Sequence, residues 1–359
     1  MLTSAPIRLT CALCAIRAGV GGGFTAADVD FDRFTSPLST REVQWYPGHI
    51  ARAEKMLQAQ VSSVDVVVEL RDARIPGSTA HPRLREWIGN RRRVLVINKR
   101  DCISEEDLGM WNTHFRQSLG EEPIWTNAVS GQGVNKLQRE ILKAAETLDA
   151  KRARRGLKPR PVRAAVVGFP NIGKSALINR LLKRRVAASA PRPGVTRNLQ
   201  WIRVGDRIDL LDSPGILPSK LGDQMAARRL AICDAIGEAA YSDAAMAAEL
   251  VDIIGAVSRT GLLVDATGKD RKRTRLGTPL DALTSRFGAA AEEAVALSRS
   301  RDGYEAAGEG DDLGLNGELF VHALADRVFA GNLDQAGMRL LKEFRTGKLG
   351  NWALEVPSS

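Results

Sequence analysis

Residues Gly168 to Ser175 read G-F-P-N-I-G-K-S, and this stretch decides the fold of the chain. It fits the pattern G-x-x-x-x-G-K-S. The apolar run 164–167 before it predicts a buried strand, and apolar residues at helical spacing after it predict a helix from Lys174. A glycine-rich turn between a strand and a helix is typical of a loop that binds phosphate groups.

The residue types in this turn suit phosphate chemistry. Glycines allow backbone N–H groups to point at phosphate oxygens, and the helix N-terminus adds partial positive charge. Lys174 would reach the β- and γ-phosphates, and the Ser175 hydroxyl would bind Mg²⁺. The residues of the turn that we predict to contact a nucleotide are Asn171, Ile172, Gly173, Lys174, Ser175 and Ala176.

Two later segments fit the same site. Residues 212–215 read D-S-P-G after a predicted strand, so Asp212 would hold Mg²⁺ through water. Gly215 has no Cβ, and its backbone N–H would therefore approach the γ-phosphate. Thr196, in the run P-G-V-T-R, would supply a second hydroxyl to Mg²⁺. The alternative for D-S-P-G is an ordinary turn, in which Ser, Pro and Gly are common.

The choice of base depends on residues 98–101, which read N-K-R-D directly after the apolar run 94–97. Guanine presents two neighbouring donors, N1–H and the exocyclic amine, and the Asp101 carboxylate would accept both. Adenine lacks this donor pair, and a buried unpaired carboxylate is costly, so Asp101 argues against an ATPase. The predicted base-binding residues are Asn98, Lys99 and Asp101, with Asn127 and Ala128 after the next strand, where the Ala128 N–H would bind guanine O6.

Short apolar strands alternate with helical stretches of 10–15 residues, which predicts an α/β fold with a parallel sheet covered on both faces. The basic, proline-containing segment 151–163 is predicted to be a linker inside this domain. Beyond about residue 218 the pattern becomes helical. Within that part, residues 285–318 are rich in Ala, Gly and acidic residues and are predicted to be poorly ordered.

Composition limits the function classes. The chain holds 52 Lys and Arg against 42 Asp and Glu, and a net charge of +10 favours a polyanionic partner. No apolar run approaches the roughly 20 residues that a membrane span requires. Residues 1–27 contain no acidic residue, which favours an organelle transit peptide over a plain disordered tail. The four cysteines Cys11, Cys14, Cys102 and Cys233 do not predict disulfides, and the single C-x-x-C does not predict a metal site.

The order of the motifs is unusual, because N-K-R-D precedes the phosphate-binding loop. This order resembles that of the circularly permuted GTPases. Within them, W-Y-P-G-H at 45–49, D-A-R-I-P at 72–76, the loop G-F-P-N-I-G-K-S, P-G-V-T and D-S-P-G resemble the DAR GTPase group. The resemblance covers about residues 41 to 350, and the runs Q-W-Y-P-G-H-I and A-P-R-P-G-V-T-R are most similar to the chloroplast branch.

This resemblance implies a P-loop GTPase domain with circularly permuted motifs at 41–218, after a leader at 1–40. A helical C-terminal domain that binds rRNA would follow at 219–359. The implied ligands are GTP or GDP, Mg²⁺ and an additional K⁺ at Asn171. The implied partner is a large ribosomal subunit precursor with its rRNA, in the chloroplast stroma or alternatively the mitochondrion. We expect neither DNA binding nor an oligomer.

Catalysis needs a group other than the usual glutamine, because Ile216 follows D-S-P-G. The resemblance implies His49 in that role, beside the catalytic contributions of Lys174 and Gly215. A neutral imidazole can orient or deprotonate water near neutral pH. Ile216 also leaves an alternative open, namely an RNA-binding scaffold that holds GTP without productive turnover.

Several basic runs are candidates for RNA contact, although each alone also fits a solvated face. They are Arg91–Arg93, the linker 151–163, Lys183–Arg185, and Arg271–Arg273 with Arg275. Four tryptophans would stack on bases or serve as packing anchors: Trp111, Trp125, Trp201 and Trp352.

Overall fold

The structure is a computed structural model. It describes residues 61–183, 200–213, 215, 217–218, 223–260, 262–264, 270–272, 279–301 and 315–357, with the isolated residues Val43, Lys55, Gln58 and Ala59.

A six-stranded mixed sheet forms the centre of the N-terminal part. Its strands are β1 Val66–Asp72, β2 Arg92–Asn98, β3 Ile124–Trp125, β4 Val162–Val167, β5 Gln200–Val204 and β6 Ile208–Asp212. They lie in the order β3-β2-β1-β4-β6-β5, and all neighbours are parallel except the antiparallel pair β5 and β6. All seven residues of β1 are buried, as expected for a central strand covered on both faces.

Four helices accompany this sheet in the described residues: α1 Leu84–Ile88, α2 Glu105–Leu119, α3 Val134–Ala153 and α4 Lys174–Leu182. Helix α2 begins at a capping box, in which Ser104 and Asp107 satisfy each other's backbone N–H groups. The buried residues of α3 recur every three or four positions and form the stripe that packs on the sheet. The prediction of an α/β fold with a parallel-rich sheet is confirmed.

The C-terminal part is mainly helical. It contains α5 Gln224–Ile232, α6 Asp243–Thr260, α7 Pro279–Arg301, α8 Gly317–Val328 and α9 Leu333–Arg345. Helices α6 and α9 approach so closely that a Cβ on Gly337 would lie 2.5 Å from the Ala244 nitrogen. In the described residues no helix is long and apolar enough to cross a membrane.

The structure corrects two details of the sequence interpretation. Residues 285–301 are not poorly ordered but belong to α7, because alanine has the highest helix propensity and its small side chains, such as Ala294, are buried. Residues 302–314 lie outside the described residues. The linker is shorter than 151–163, since α3 ends at Ala153 and β4 begins at Val162.

Two β-elements were not anticipated. The edge strand β5 is short, with Trp201 and Arg203 exposed and Ile202 and Val204 buried, so its sequence lacks the apolar run of the other strands. A two-stranded antiparallel hairpin of β7 Leu262–Val264 and β8 Asp270–Lys272 interrupts the helical C-terminal part. Strands of three residues are too short to produce a recognisable alternation.

Candidate nucleotide-binding site

The sequence motifs meet at one edge of the sheet. Asp72 lies opposite Asn98 in the register of β1 and β2, and Asp212 lies opposite Val166 in the register of β4 and β6. The loop 168–175 follows β4 at the same edge. Ligands of open parallel sheets bind at the carboxyl ends of the strands, and this edge is therefore the candidate site.

Asn98 joins the predicted base-binding loop to the phosphate-binding loop. Its side chain is buried, its Nδ2 donates to the Ile172 carbonyl at 2.8 Å, and its Oδ1 accepts from Thr126 Oγ1 at 3.0 Å. Gly173 has φ +100°, and a Cβ there would lie 2.3 Å from Asn98 Nδ2. Glycine is thus required at 173 both for its backbone conformation and for the approach of Asn98.

Two predicted base-binding residues have other partners in the structure. The Ala128 N–H, which we assigned to guanine O6, donates to Asn98 Oδ1 at 3.0 Å. The reason is that the side chain of Asn98 reaches the turn after β3, which sequence spacing does not reveal. Asn127 Oδ1 accepts from the N–H groups of Val129 and Ser130 and so shapes its own turn.

Asp101 remains available for a ligand. It lies in the short 3₁₀ helix Arg100–Cys102, and its side chain is exposed. The preceding Lys99 has a left-handed backbone, with φ 62°. Arg180 of α4, which sequence reasoning missed, donates to the carbonyls of Ala128 and Val129 and braces the neighbouring turn.

Lys174 is buried at the start of α4. Its Nζ donates to the carbonyls of Phe169 at 2.6 Å and Gly168 at 3.1 Å. Burial lowers the pKa of Lys174 to about 7, and the Asp212 carboxylate opposes this shift only in part. Burial likewise raises the pKa of Asp212, against the effect of Lys174. A bound anion would therefore favour the charged form of Lys174, and a bound cation would favour the charged form of Asp212.

Asp212 also fits a cation. Its Oδ1 is buried and accepts no hydrogen bond from any described residue. The neighbouring Ser213 donates to the Val166 carbonyl at 2.6 Å and thereby fixes the backbone beside the carboxylate. A Cβ on Gly215 would lie 2.7 Å from Pro170 of the phosphate-binding loop, so the D-S-P-G segment contacts that loop. Carboxylate and hydroxyl oxygens suit Mg²⁺, and Asp212 with Ser175 would hold it.

The D-A-R segment forms a buried ionic cluster. Arg74 donates to both carboxylate oxygens of Asp72, at 3.0 and 2.8 Å, and Lys99 Nζ lies 2.8 Å from the same carboxylate. Burial alone would raise the pKa of Asp72, but Arg74 and Lys99 hold it well below its usual range. Arg74 also donates to the Cys233 carbonyl at 3.0 Å, and its own carbonyl accepts from the Leu354 N–H at 2.8 Å. The cluster thus joins the base-binding loop to both ends of the C-terminal part.

Asn171 contacts the same C-terminal turn. Its backbone is left-handed, with φ 53°, and its Nδ2 donates to Asp234 Oδ2 at 3.1 Å. Asp234 directly follows Cys233 at the end of α5. The sequence carried no sign of this pair, because 63 residues separate its members.

Three predicted residues, His49, Thr196 and Ile216, lie outside the described residues. Ser175 and Ala176 lie in the first turn of α4, half-buried beside Lys174.

The predicted RNA-contact residues divide into two groups. Arg93 is ion-paired with Glu69 at 2.6 Å and Glu121 at 2.5 Å, and Arg92 with Glu140 at 2.9 Å, so both arginines already have acidic partners at the start of β2. The basic side chains of the 151–163 run that are exposed are Lys151 in the last turn of α3, Arg154, Arg155 and Lys158 after it, and Arg163 in β4. Trp111 and Trp352 are buried packing residues, whereas Trp201 is 43% exposed.

Comparison with known proteins identifies related sequences. The family model described as 50S ribosome-binding GTPase matches residues 163–274, which begin at β4 and include the phosphate-binding loop. The "Ribosome biogenesis GTPase A" of Bacillus pumilus is 42% identical over 197 residues, covering 54% of this chain and 68% of the relative. "Short integuments 2, mitochondrial" of Arabidopsis thaliana is 31% identical over 229 residues, covering 59% of this chain and 56% of the relative.

Among solved structures, the chain is similar to the crystal structure of GNP-bound YlqF from T. maritima. The TM-score is 0.51 at 20% sequence identity, and the match covers 86% of this chain and 99% of that one. At this identity the similarity concerns the fold. It extends over both the sheet and the C-terminal helices.

Proposed function

Because the chain belongs to the ribosome biogenesis GTPase A family of circularly permuted GTPases, we propose that it is an assembly factor for the large ribosomal subunit of an organelle. The chain is a GTP-hydrolysing enzyme that binds guanine nucleotide. The observation that carries the proposal is the convergence of the N-K-R-D segment, the phosphate-binding loop and Asp212 at one sheet edge, fastened by Asn98.

Each predicted site residue has a distinct part in hydrolysis. Lys174 neutralises charge on the β- and γ-phosphates, and the Gly215 N–H senses the γ-phosphate. Ser175, Asp212 and Thr196 would hold Mg²⁺, which would neutralise further charge on the phosphates. Asp101 selects guanine, and His49 orients the attacking water in place of the usual glutamine, whose position Ile216 occupies. Asn171 would help to hold K⁺.

The GTP-bound protein would hold the pre-ribosome, and hydrolysis would release it. The exposed residues Lys151, Arg154, Arg155 and Lys158 are suited to contacts with phosphates of rRNA. The 219–359 part, reached directly from Gly215, would reorient with the nucleotide state. Equal affinity of the GTP- and GDP-loaded protein for rRNA would contradict this part of the proposal.

The organelle we propose is the chloroplast, with import directed by the acid-free segment 1–27. The similar Arabidopsis protein has "mitochondrial" in its name, and the mitochondrion is therefore the alternative. Imaging of the full chain with a C-terminal fluorescent tag in plant cells would distinguish the two.

The decisive experiment measures GTP hydrolysis by protein lacking residues 1–27, in K⁺ buffer, alone and with purified large or small subunits of the bacterial or organellar type. We expect a slow basal rate that rises many-fold with large subunits only. The family membership favours this turnover over the scaffold alternative, in which GTP is held without hydrolysis.

The matched control is Lys174→Ala, which must abolish both the basal and the stimulated rate, because a contaminating GTPase would be unaffected. A rate that does not respond to large subunits, or that responds equally to small ones, would contradict the proposed partner.

A further inference from the structure

The turn that ends α5 is held from two sides by the nucleotide-binding half of the molecule. Arg74 of the D-A-R segment donates to the carbonyl of Cys233, and Asn171 of the phosphate-binding loop donates to the carboxylate of Asp234. These contacts lie on adjacent residues of one turn. The turn Cys233–Asp234 of the C-terminal part therefore contacts both the buried ionic cluster of the D-A-R segment and the phosphate-binding loop.

The backbone geometry at this contact is unusual. In the described part of the chain, five residues other than glycine have a positive φ: Lys99, Asn171, Lys183, Asp234 and Ala330. Three of these five, namely Lys99, Asn171 and Asp234, belong to the network around Asp72 and the α5 turn. Left-handed residues outside glycine are sparsely populated, and they persist where surrounding contacts hold them.

The chemistry of the pair fixes the orientation of the Asn171 amide. An ionised carboxylate only accepts hydrogen bonds, so it pairs with the amide nitrogen and not with the amide oxygen. With Nδ2 bound to Asp234, the Asn171 carbonyl oxygen must point away from the C-terminal part. Without Asp234 the amide would be free to turn over, since its two ends are similar in size.

The other side of the turn is buried and hydrogen-bonded. Cys233 is buried, and Arg74 is held by two hydrogen bonds to Asp72. Burial raises the pKa of the Cys233 thiol to about 12, so this side chain stays neutral. Asp234 thus follows a residue that is bound to the ionic cluster, and from there it contacts the phosphate-binding loop.

We propose that Asp234 is a positioning residue for GTP hydrolysis, which holds the Asn171 amide and the left-handed turn of the phosphate-binding loop in the nucleotide-binding conformation. The inference rests on the proposed function only in taking Asn171 as a residue of the nucleotide site. Its consequence is that the C-terminal part sets the conformation of the phosphate-binding loop, so that a partner that moves α5 would change nucleotide affinity.

The test uses glycine and asparagine variants of the protein as it exists. Asp234→Gly and Asn171→Gly remove the side chains without strain, because both positions have positive φ, where glycine is well tolerated. Asp234→Asn keeps the size and the tolerance of this backbone but loses the obligatory acceptor. Glu249→Gln, which removes the ion pair with Arg228 at 3.0 Å, is the control for charge loss in the C-terminal part.

The readouts are the dissociation rate of fluorescent GDP, the KM and kcat for GTP, and the K⁺ concentration that gives half-maximal kcat. We expect Asp234→Gly and Asn171→Gly each to accelerate GDP release by roughly 5- to 10-fold, a typical size for coupling between sites. The double variant should be no worse than Asn171→Gly alone, because Asp234 acts only through Asn171. Asp234→Asn should lie between wild type and Asp234→Gly, and the K⁺ requirement should rise in all four.

The proposal is overturned if Asp234→Gly releases GDP at the wild-type rate, if the two single effects add in full, or if Glu249→Gln has the same effect. Thermal melting of each variant separates a lost contact from a lost fold. Failure of the proposed function is recognised separately, because it would appear as a wild-type rate that ignores large subunits, whatever the GDP release rates of the variants.

Discussion

The two ends of the nucleotide site are stabilised by different physics. At the base end, Asn98 makes three buried hydrogen bonds to Thr126, Ala128 and Ile172, and every partner is neutral. At the phosphate end, Lys174 and Asp212 are buried charges, and each has its pKa shifted toward the neutral form. The Asn98 network at the base end is thus satisfied within the protein, whereas the phosphate end is stabilised further by ligands of opposite charge.

The two ends therefore differ in what their buried groups contribute: stability at the base end, and interaction with ligand charge at the phosphate end. A satisfied neutral network contributes stability. Buried charges reduce stability but interact strongly with phosphate and metal, because the local dielectric constant is low. Loss of the Asn98 network should therefore lower the free energy of unfolding, whereas replacement of both buried charges at the phosphate end should raise it.

The largest expected effect is that of Lys174→Met. It should lower kcat for GTP by roughly 10²- to 10³-fold, the usual loss when one preorganised charge-stabilising donor is removed. The double substitution Lys174→Met with Asp212→Asn should also raise the unfolding free energy of nucleotide-free protein, since it removes both buried charges, whereas Lys174→Met alone leaves the Asp212 carboxylate buried without its partner. Steady-state hydrolysis and urea denaturation measure the two effects. A double variant that is less stable than wild type would contradict the contrast between the ends.

Asp101→Asn should come next. Loss of the carboxylate that accepts from guanine should weaken GTP binding by roughly 100-fold. Xanthosine triphosphate should compete better with the variant than with wild type, because the new amide can donate to the oxygen that replaces the guanine amine. Competition against fluorescent GDP measures both affinities. Unchanged discrimination between the two nucleotides would show that Asp101 does not read the base.

Asn98→Ala should destabilise the fold by about 2 kcal/mol, because it leaves buried donors and an acceptor without partners. Urea denaturation of nucleotide-free protein measures this loss. Asp101→Asn is the matched control three residues away, and it should leave the unfolding free energy unchanged because Asp101 is exposed. If the two variants were equally destabilised, Asn98 and Asp101 would not differ in their contribution to stability, and the contrast between a structural residue and a base-binding residue would be wrong.

The smallest effect is a dependence on pH. The pKa of Lys174 is about 7, so much of the side chain is neutral at pH 8, and bound phosphate should raise this pKa again. GTP binding at pH 8 should then take up close to one proton and be weaker by about 1 kcal/mol than at pH 7. Calorimetry in buffers of different ionisation enthalpy measures the uptake, which should be absent in Lys174→Met.

The lowered pKa of Lys174 also predicts how stability changes with pH. Between about pH 7 and the ordinary lysine pKa, the unfolded chain holds a proton that the native protein lacks, so nucleotide-free protein should gain stability as the pH rises. Stability that falls over this range in wild type, but not in Lys174→Met, would mean that the native lysine remains charged.

Much of the fold was predictable because its signals are local. Apolar runs identified β1, β2, β4 and β6, and the helix after the phosphate-binding loop begins at Lys174 as expected. The predictions that were wrong or missing concern weak signals: an edge strand, a hairpin of three-residue strands, and the alanine-rich α7, whose order comes from packing as well as propensity. The roles of Asp101, His49 and Thr196 stay predictions.

In the site, too, the local motifs were predictable from the sequence and the long-range contacts were not. The types and spacing of residues in G-F-P-N-I-G-K-S and N-K-R-D predict binding of phosphate and guanine, and the structure brings these two segments together at one edge of the sheet. Their neighbours were not predictable, since Asn98 takes the N–H of Ala128 and Arg180 braces the same turn across 52 residues.

The sequence by itself determined the chemistry: the glycines, Lys174, Asp212 and Asp101, and the permuted order in which they follow one another. Only the tertiary structure decided how these groups are connected. Arg74 meets Cys233 across 159 residues and Asn171 meets Asp234 across 63. Such contacts depend on packing of the whole chain, because a hydrogen bond requires atoms to lie about 3 Å apart, and no local pattern of residue types specifies that distance.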